Sequence, residues 1–277
     1  MDRMRFGTAG IPLSMPDRNT VEAPTFIRKL GLDAMEIEFV RSVNLTPEKA
    51  RLLGKYGSDN DIRFTCHAPY FVNLCSAEAV KVHASKARIL KSAEIASLAG
   101  ARSVTFHAGF YQGAPLDKVY EKIKLEIKDM ALTLKKRNID VMLRPETTGK
   151  ESQFGCIEEL VRLASELTGV GLCVDFAHLF ARSVGRFNGV EDYSSVLKLI
   201  KENIGTSELH DMHIHFSGMN YTDKGERNHL VLRDPNNHFD YRGMIEAMKK
   251  YGVKGIAISE SPNIEEDALL CQKLFGK

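Results

Sequence analysis

Eight short runs rich in β-branched and aromatic residues recur along the chain, each followed by a longer stretch. They are MRFGTA (4–9), AMEIEF (34–39), IRFTCHA (62–68), SVTFHAG (103–109), DVMLRPE (140–146), VGLCVDFAH (170–178), MHIHFSG (212–218) and GIAISES (255–261). Helical periodicity is clearest in EAVKVHASKARILKSAEIASLAG (78–100) and DKVYEKIKLEIKDMALTLKK (117–136). Strands alternating with helices imply parallel pairing. Eight such units with right-handed crossovers close most simply into an α/β fold of the (β/α)8 TIM-barrel type. The alternative is an open doubly wound sheet, but no Gly-x-Gly-x-x-Gly follows the first run to build a nucleotide crevice. A length of 277 residues is close to the roughly 250 typical of one barrel, so residues 1–277 are expected to form a single domain. One polar interruption, 217–240, reads as an extended loop over the barrel mouth.

Hydrophobic residues make up 43% of the chain and charged residues 27%, which is enough apolar material for a full core. Thirty-eight basic against thirty-six acidic residues leave a net charge of +2, too small to identify a polyanion binder from composition. Any role on nucleic acid must rest on a site. The five cysteines, 66, 75, 156, 173 and 271, never form a Cys-x-x-Cys pair and read as buried reduced thiols. With no apolar stretch of signal-peptide length at the N-terminus and none of membrane-spanning length elsewhere, a cytoplasmic monomer with no membrane partner is the expectation.

The ends of six of the runs carry residues that ligate metals: His67, His107, Glu146, Asp175 with His178, His215 and Glu260. Side chains at the C-terminal strand ends of a barrel converge on one mouth. Glu146 and Glu260 follow runs too apolar to leave a carboxylate uncompensated, which favours a cation beside them. Asp175 and His178 share one turn. His213 and His215 alternate by two and face the same side of their strand, with His215 nearer the mouth as the preferred ligand and His213 behind it as a supporting partner. His83, His210 and His238 lie away from strand ends and read as ordinary histidines. Imidazole and carboxylate donors without thiolate suit zinc, manganese or iron, with zinc favoured and Mn2+ as the second choice. Glu146, Asp175, His215 and Glu260 suffice for one divalent ion. His67, His107, His178 and His229 exceed the needs of one ion, and that surplus argues for two or three.

At these residues the chain resembles the endonuclease IV family of apurinic/apyrimidinic endonucleases, whose members are barrels using three zinc ions. The resemblance runs nearly end to end: HAPYFVNL at His67, FHAG at His107, ETTG at Glu146, VDFAH at Asp175 and His178, HFSG at His215, NHLVL at His229 and SESP at Glu260. It implies that all eight are metal ligands, and that the partner is double-stranded DNA containing an abasic site. Three departures mark a divergent branch: Arg227 stands where the family has an Asp ligand, leaving Glu226 as a substitute; FGTAG replaces the usual polar start; and HIH leaves His213 and His215 in competition.

The implied reaction is hydrolysis of the phosphodiester 5′ to the abasic site by metal-bound hydroxide, with Glu146 bridging two ions and Glu260 orienting or deprotonating the nucleophile as the catalytic carboxylates. Tyr70 and Phe71, directly after the His67 loop, are the DNA-binding candidates that would fill the gap in the base stack, with Arg41 a weaker one. Two other readings compete: a single-metal sugar isomerase or epimerase of the xylose-isomerase-like barrels, which needs only the quartet, and a metal-storing or DNA-binding relative without turnover.

Overall fold

The computed structural model describes residues 1–276. Its strands are β1 (Met4–Ala9), β2 (Ala34–Glu38), β3 (Arg63–His67), β4 (Ser103–Phe106), β5 (Met142–Pro145), β6 (Cys173–Asp175), β7 (Met212–Phe216), β8 (Gly218–Thr222), β9 (Gly225–Leu230) and β10 (Gly255–Ser259). Its helices are α1 (Ala23–Leu30), α2 (Pro47–Asp59), α3 (Ala79–Leu98), α4 (Leu116–Lys136), α5 (Ile157–Glu166), α6 (Phe176–Arg182), α7 (Val190–Asn203), α8 (Thr206–Leu209), α9 (Tyr241–Lys250) and α10 (Glu265–Phe275). Eight strands form one parallel sheet in the order β5-β4-β3-β2-β1-β10-β7-β6. The last gap, between β5 and β6, is spanned by parallel bridges Leu143↔Val170 and Glu146↔Cys173, so the sheet returns on itself as a (β/α)8 TIM barrel.

Local chemistry explains the elements. In α4, Val119, Ile123, Ile127, Met130 and Leu134 repeat at three- and four-residue spacing and are all buried, forming the stripe that packs against the sheet. Helix α2 starts at an extended Thr46 whose hydroxyl accepts from the Lys49 N–H, with Pro47 in the first turn where its missing N–H costs nothing. Each barrel strand alternates between two interiors. Outward residues such as Phe6, Met35, Ile37, Phe64, Val104, Phe106, Ile214 and Phe216 join the helices in one continuous core. Inward residues run in columns that end at the mouth: Ala34-Glu36-Glu38, Thr65-His67, Ser103-Thr105-His107, Arg144-Glu146, Cys173-Asp175, His213-His215 and Ile256-Ile258-Glu260. Inside the barrel Ala34, Ile256 and Ile258 form a small apolar cluster with Met1 and Ala9 packed against it, and hydroxyl and charged groups fill much of the rest.

Three sequence expectations change. Residues 217–240 are not an open loop: β8 and β9 pair as an antiparallel hairpin at the mouth. The run VGLCVDFAH is a strand only over Cys173–Asp175, after which α6 begins, so His178 sits on a helix rather than in a strand-to-loop turn. Asp175 causes that switch, because its Oδ1 accepts the His178 N–H at 2.7 Å as the helix N-cap. Likewise, β4 ends at Phe106 and β2 at Glu38, placing His107 just beyond its strand and Arg41 in the following loop. The cysteines are all free, with Cys66, Cys173 and Cys271 buried and Cys75 and Cys156 only half-buried. Among the described residues, no helix is long and apolar enough to cross a membrane.

Candidate metal centre

Glu146 is the hub of the mouth. Its side chain is 1% exposed, and four imidazoles face it: His67 Nε2 and His107 Nε2 stand 3.3 and 3.2 Å from Oε2, while His178 Nδ1 and His215 Nδ1 stand 3.3 and 3.2 Å from Oε1. Among the described residues five groups of donors lie close enough to hold an ion, and three of them hold the expected ligands around Glu146: His67, His107 and Glu146; Glu146, Asp175, His215 and Glu260; and His178, Glu226 and His229; the others are Cys173, His213 and His215, and Glu36, Glu38 and Glu260. Two donors sharing one zinc at bonds of roughly 2.0–2.1 Å stand about 3.3 Å apart in a tetrahedral site. The spacings of His67, His107 and His215 from Glu146 match that value. Two carboxylate oxygens in the three groups around Glu146, Glu146 Oε2 and Asp175 Oδ2, are buried and accept no hydrogen bond, as expected of atoms kept for a cation. The donor set therefore fits metal ions.

Backbone carbonyls aim the imidazoles. His67 Nδ1 lies 2.7 Å from Ala68 O, His178 Nδ1 2.9 Å from Thr147 O, and His229 Nδ1 3.1 Å from Glu260 O. A ring that donates Nδ1–H to a carbonyl presents a bare Nε2 on its far side, the form a metal needs. Asp175 divides its oxygens in a similar way, with Oδ1 capping α6 and Oδ2 left free.

Charge is dense here. The His67 imidazole is pushed up to about 10: burial works against its charge, but the carboxylates of Glu146, Glu38 and Glu36 outweigh it. His178 and His215 move the same way, with burial again opposed by surrounding carboxylates. Burial would raise Glu146, yet His215, His107 and His178 hold it well below the usual carboxylate range. Burial and the neighbouring Glu36 charge push Glu38 well above it, and burial raises Asp175.

The third group depends on a register change. Opposite β8, residue Asn228 pairs with Asn220 but Glu226 pairs with Tyr221, so Arg227 is one residue extra on β9. A bulge of this kind reverses the alternation beyond it. Glu226 and His229, three apart, thereby share a face: Glu226 Oε2 is 3.6 Å from His178 Nε2 and Oε1 is 4.0 Å from His229 Nε2, while Arg227 points to solvent. The hairpin is seated by Glu226 N–H donating to Gly149 O at 2.9 Å. At Gly225, with φ of +91°, any Cβ would come within 2.2 Å of that same oxygen, so only glycine permits the seat.

All eight expected ligand positions thus gather at one mouth, with His215 in the group that contains Glu146, Asp175 and Glu260. His213 lies one layer down, its Nε2 2.9 Å from Glu36 and its Nδ1 3.2 Å from Ser103 Oγ. His83 and His238 are exposed and His210 caps α8, none of them in these groups. Sequence reasoning missed Glu36 and Glu38, although Glu-x-Glu in the otherwise apolar AMEIEF already put both carboxylates on one strand face. Tyr70 and Phe71 are 58% and 64% exposed beside the centre, with the Tyr70 ring 5.6 Å from that of His67 and Arg88 holding Phe71 O from below. A cleft of about 780 Å³ opens next to them between the segments after β1 and β2, bounded by Arg18, Asn19, Asn44 and Lys49, with Glu38 on its wall.

Residues 24–273 match the model of the xylose isomerase-like TIM barrel family, and the chain belongs to that family. An uncharacterized protein of Methanocaldococcus jannaschii is 40% identical over 272 residues, covering 98% of this chain and 97% of its own. A protein of Staphylococcus epidermidis named probable endonuclease 4 is 26% identical over 201 residues, which is 70% of this chain and 62% of that one. Among solved structures, a D-tagatose 3-epimerase-like protein superposes with a TM-score of 0.74 at 17% identity, covering 99% and 96% of the two chains. Endonuclease IV from Thermus thermophilus superposes at 0.67 with 22% identity, covering 97% of each. Both structures support the fold alone.

Two outcomes follow from this geometry. Elemental analysis of Glu226→Ala after dialysis should find about one bound ion fewer per chain than in the parent, whereas Arg227→Ala should retain the parental content; the reverse pattern would remove Glu226 from the third group. In chelator-treated protein the raised imidazoles contribute stability that is whole below their ordinary value of 6.5 and, for His67, lost as pH climbs through about 10. Urea midpoints should therefore fall between those pH values, and fall less in His67→Gln; midpoints that do not move with pH would contradict the assigned pairing.

Proposed function

We propose that the chain is a metal-dependent phosphodiester hydrolase, a zinc-dependent endodeoxyribonuclease that cleaves 5′ to abasic sites in double-stranded DNA. One observation carries the reading: three donor groups meet at the mouth, two of them sharing Glu146, where a single-metal isomerase needs only the Glu146, Asp175, His215 and Glu260 quartet. Similarity to a probable endonuclease 4 supports it.

His67, His107, Glu146, Asp175, His178, His215, Glu226, His229 and Glu260 would hold the ions. Ions so placed supply positive charge that acidifies water and neutralises charge developing on phosphate and leaving oxygen. Glu260, 15% exposed and 3.4 Å from His215 Nδ1, is the carboxylate open enough to orient the attacking water or accept its proton. Tyr70 and Phe71 stand clear of the rim and offer flat surfaces to bases next to the missing one. Arg41, exposed beside Glu38 and Val40, is placed to meet a phosphate.

A second reading, a sugar epimerase using one ion, draws on the 780 Å³ cleft, a volume within the roughly 300–1,000 Å³ of small-molecule sites, with Glu38 facing it. Metal content separates the two: about one ion per chain for the epimerase, two or three for the nuclease.

The deciding assay incubates zinc-loaded protein with a duplex bearing one abasic site and looks for a single nick on its 5′ side. Glu260→Gln should abolish that nick while leaving the far-ultraviolet circular dichroism spectrum unaltered, and full turnover in the variant would remove the assigned role. Tyr70→Ala combined with Phe71→Ala should weaken binding of the abasic duplex, by roughly 10-fold or more from two lost stacking surfaces, without changing metal content. Equal affinity of parent and variant for that duplex would refute the contact.

A further inference from the structure

Beneath the metal donors a single carboxylate touches two imidazoles. Glu36 is fully buried on β2, with Oε1 2.8 Å from His215 Nε2 and Oε2 2.9 Å from His213 Nε2. The two Nε2 atoms are themselves 3.2 Å apart. Neither Glu36 oxygen accepts a well-aligned hydrogen bond, so the contact is one of distance and charge.

Cys173, His213 and His215 also lie close enough to share an ion, as do Glu36, Glu38 and Glu260. At 2.8–2.9 Å the two rings meet Glu36 in direct nitrogen–oxygen contact, closer than the about 3.3 Å between two donors on one tetrahedral zinc.

His215 differs from the other histidines of the centre in how it is aimed. His67, His178 and His229 turn Nδ1 to a backbone carbonyl and Nε2 outward. His215 turns Nδ1 toward Glu146 and Glu260, at 3.2 and 3.4 Å, and has no carbonyl behind it. Its Nε2 faces Glu36 alone among carboxylates. Resting on the metal-centre part of the reading above, we infer that Glu36 is the positioning residue of the central donor group: its carboxylate keeps the proton of His215 on Nε2, which leaves Nδ1 as the ligand atom, and His213 braces its second oxygen. His213 suits the brace because its ring is fully buried with Nε2 2.9 Å from Glu36 Oε2 and Ser103 Oγ at its Nδ1. Thr65 and Ser103, in the neighbouring columns of the same interior, offer Glu36 no charge to replace these rings.

The test reads metal and tautomer rather than cleavage, so an absent nuclease activity leaves it undisturbed. Zinc dissociation constants are measured by chelator competition on the full chain and on Glu36→Gln, with circular dichroism as the folding control. Removing an outer partner of a ligating histidine lowers affinity by roughly 10–100-fold, so one zinc should weaken by that factor while the others keep their parental constants. Unchanged constants, or equal weakening of every ion, would overturn the role, as would a parent protein that binds no zinc. Should Glu36→Gln fail to fold, the zinc-loaded parent still decides by long-range nitrogen–proton correlation of its imidazoles. His215 is expected with its proton on Nε2 and zinc on Nδ1, and the opposite arrangement would overturn the inference.

Discussion

A carboxylate with almost no access to water sets the terms for the mouth of this barrel. An isolated charge there would carry a large desolvation penalty, and Glu146 escapes it because two imidazoles face each of its oxygens. Those rings come from β3, from the segments just after β4 and β6, and from β7, so one side chain ties together four separate parts of the ring. The strand ends must close to satisfy it, and their closure brings Asp175, Glu226, His229 and Glu260 within reach of the same space.

Polar character continues below. Barrel interiors are commonly packed with branched aliphatic side chains, whereas here Glu36, Thr65, Ser103, Thr105, Arg144 and His213 lie inside, with Ala34, Ile256 and Ile258 as a small apolar cluster. Stability must then come chiefly from the outer layer, where Phe6, Ile37, Phe64, Phe106 and Phe216 pack under the helices. The division leaves the inner column free to serve electrostatics. Arg144 illustrates it at the far end, bonded to Glu208 and to the Asp211 carbonyl while Glu146, two residues on, serves the mouth.

The barrel was legible because its signal is local and repeated: each β-branched run became a strand at nearly its expected place, and the stripes of α3 and α4 fixed two long helices to within a residue or two. The ligand positions were legible because strand alternation carries a residue's face from its number. What escaped depended on structure that periodicity does not encode. The hairpin of β8 and β9 is polar and short, bounded by glycines, and looks like loop. Asp175 ends its strand early by capping α6, a competition between ladder and helix that the apolar run VGLCVDFAH conceals. Glu36 and Glu38 obey the same alternation rule as the histidines, Glu38 at the end of β2 and Glu36 one layer beneath it, but no histidine accompanies them in AMEIEF to mark a donor group.

The extra residue on β9 has a bearing on how relatives of this barrel should be compared. Column by column, Arg227 looks like the erasure of an acidic ligand. In space, the carboxylate one place earlier, Glu226, stands beside His178 and His229, because the extra residue reverses the alternation of β9. Alignments that count matching letters miss such a placement, because a one-residue slip of backbone decides which side chain faces the mouth.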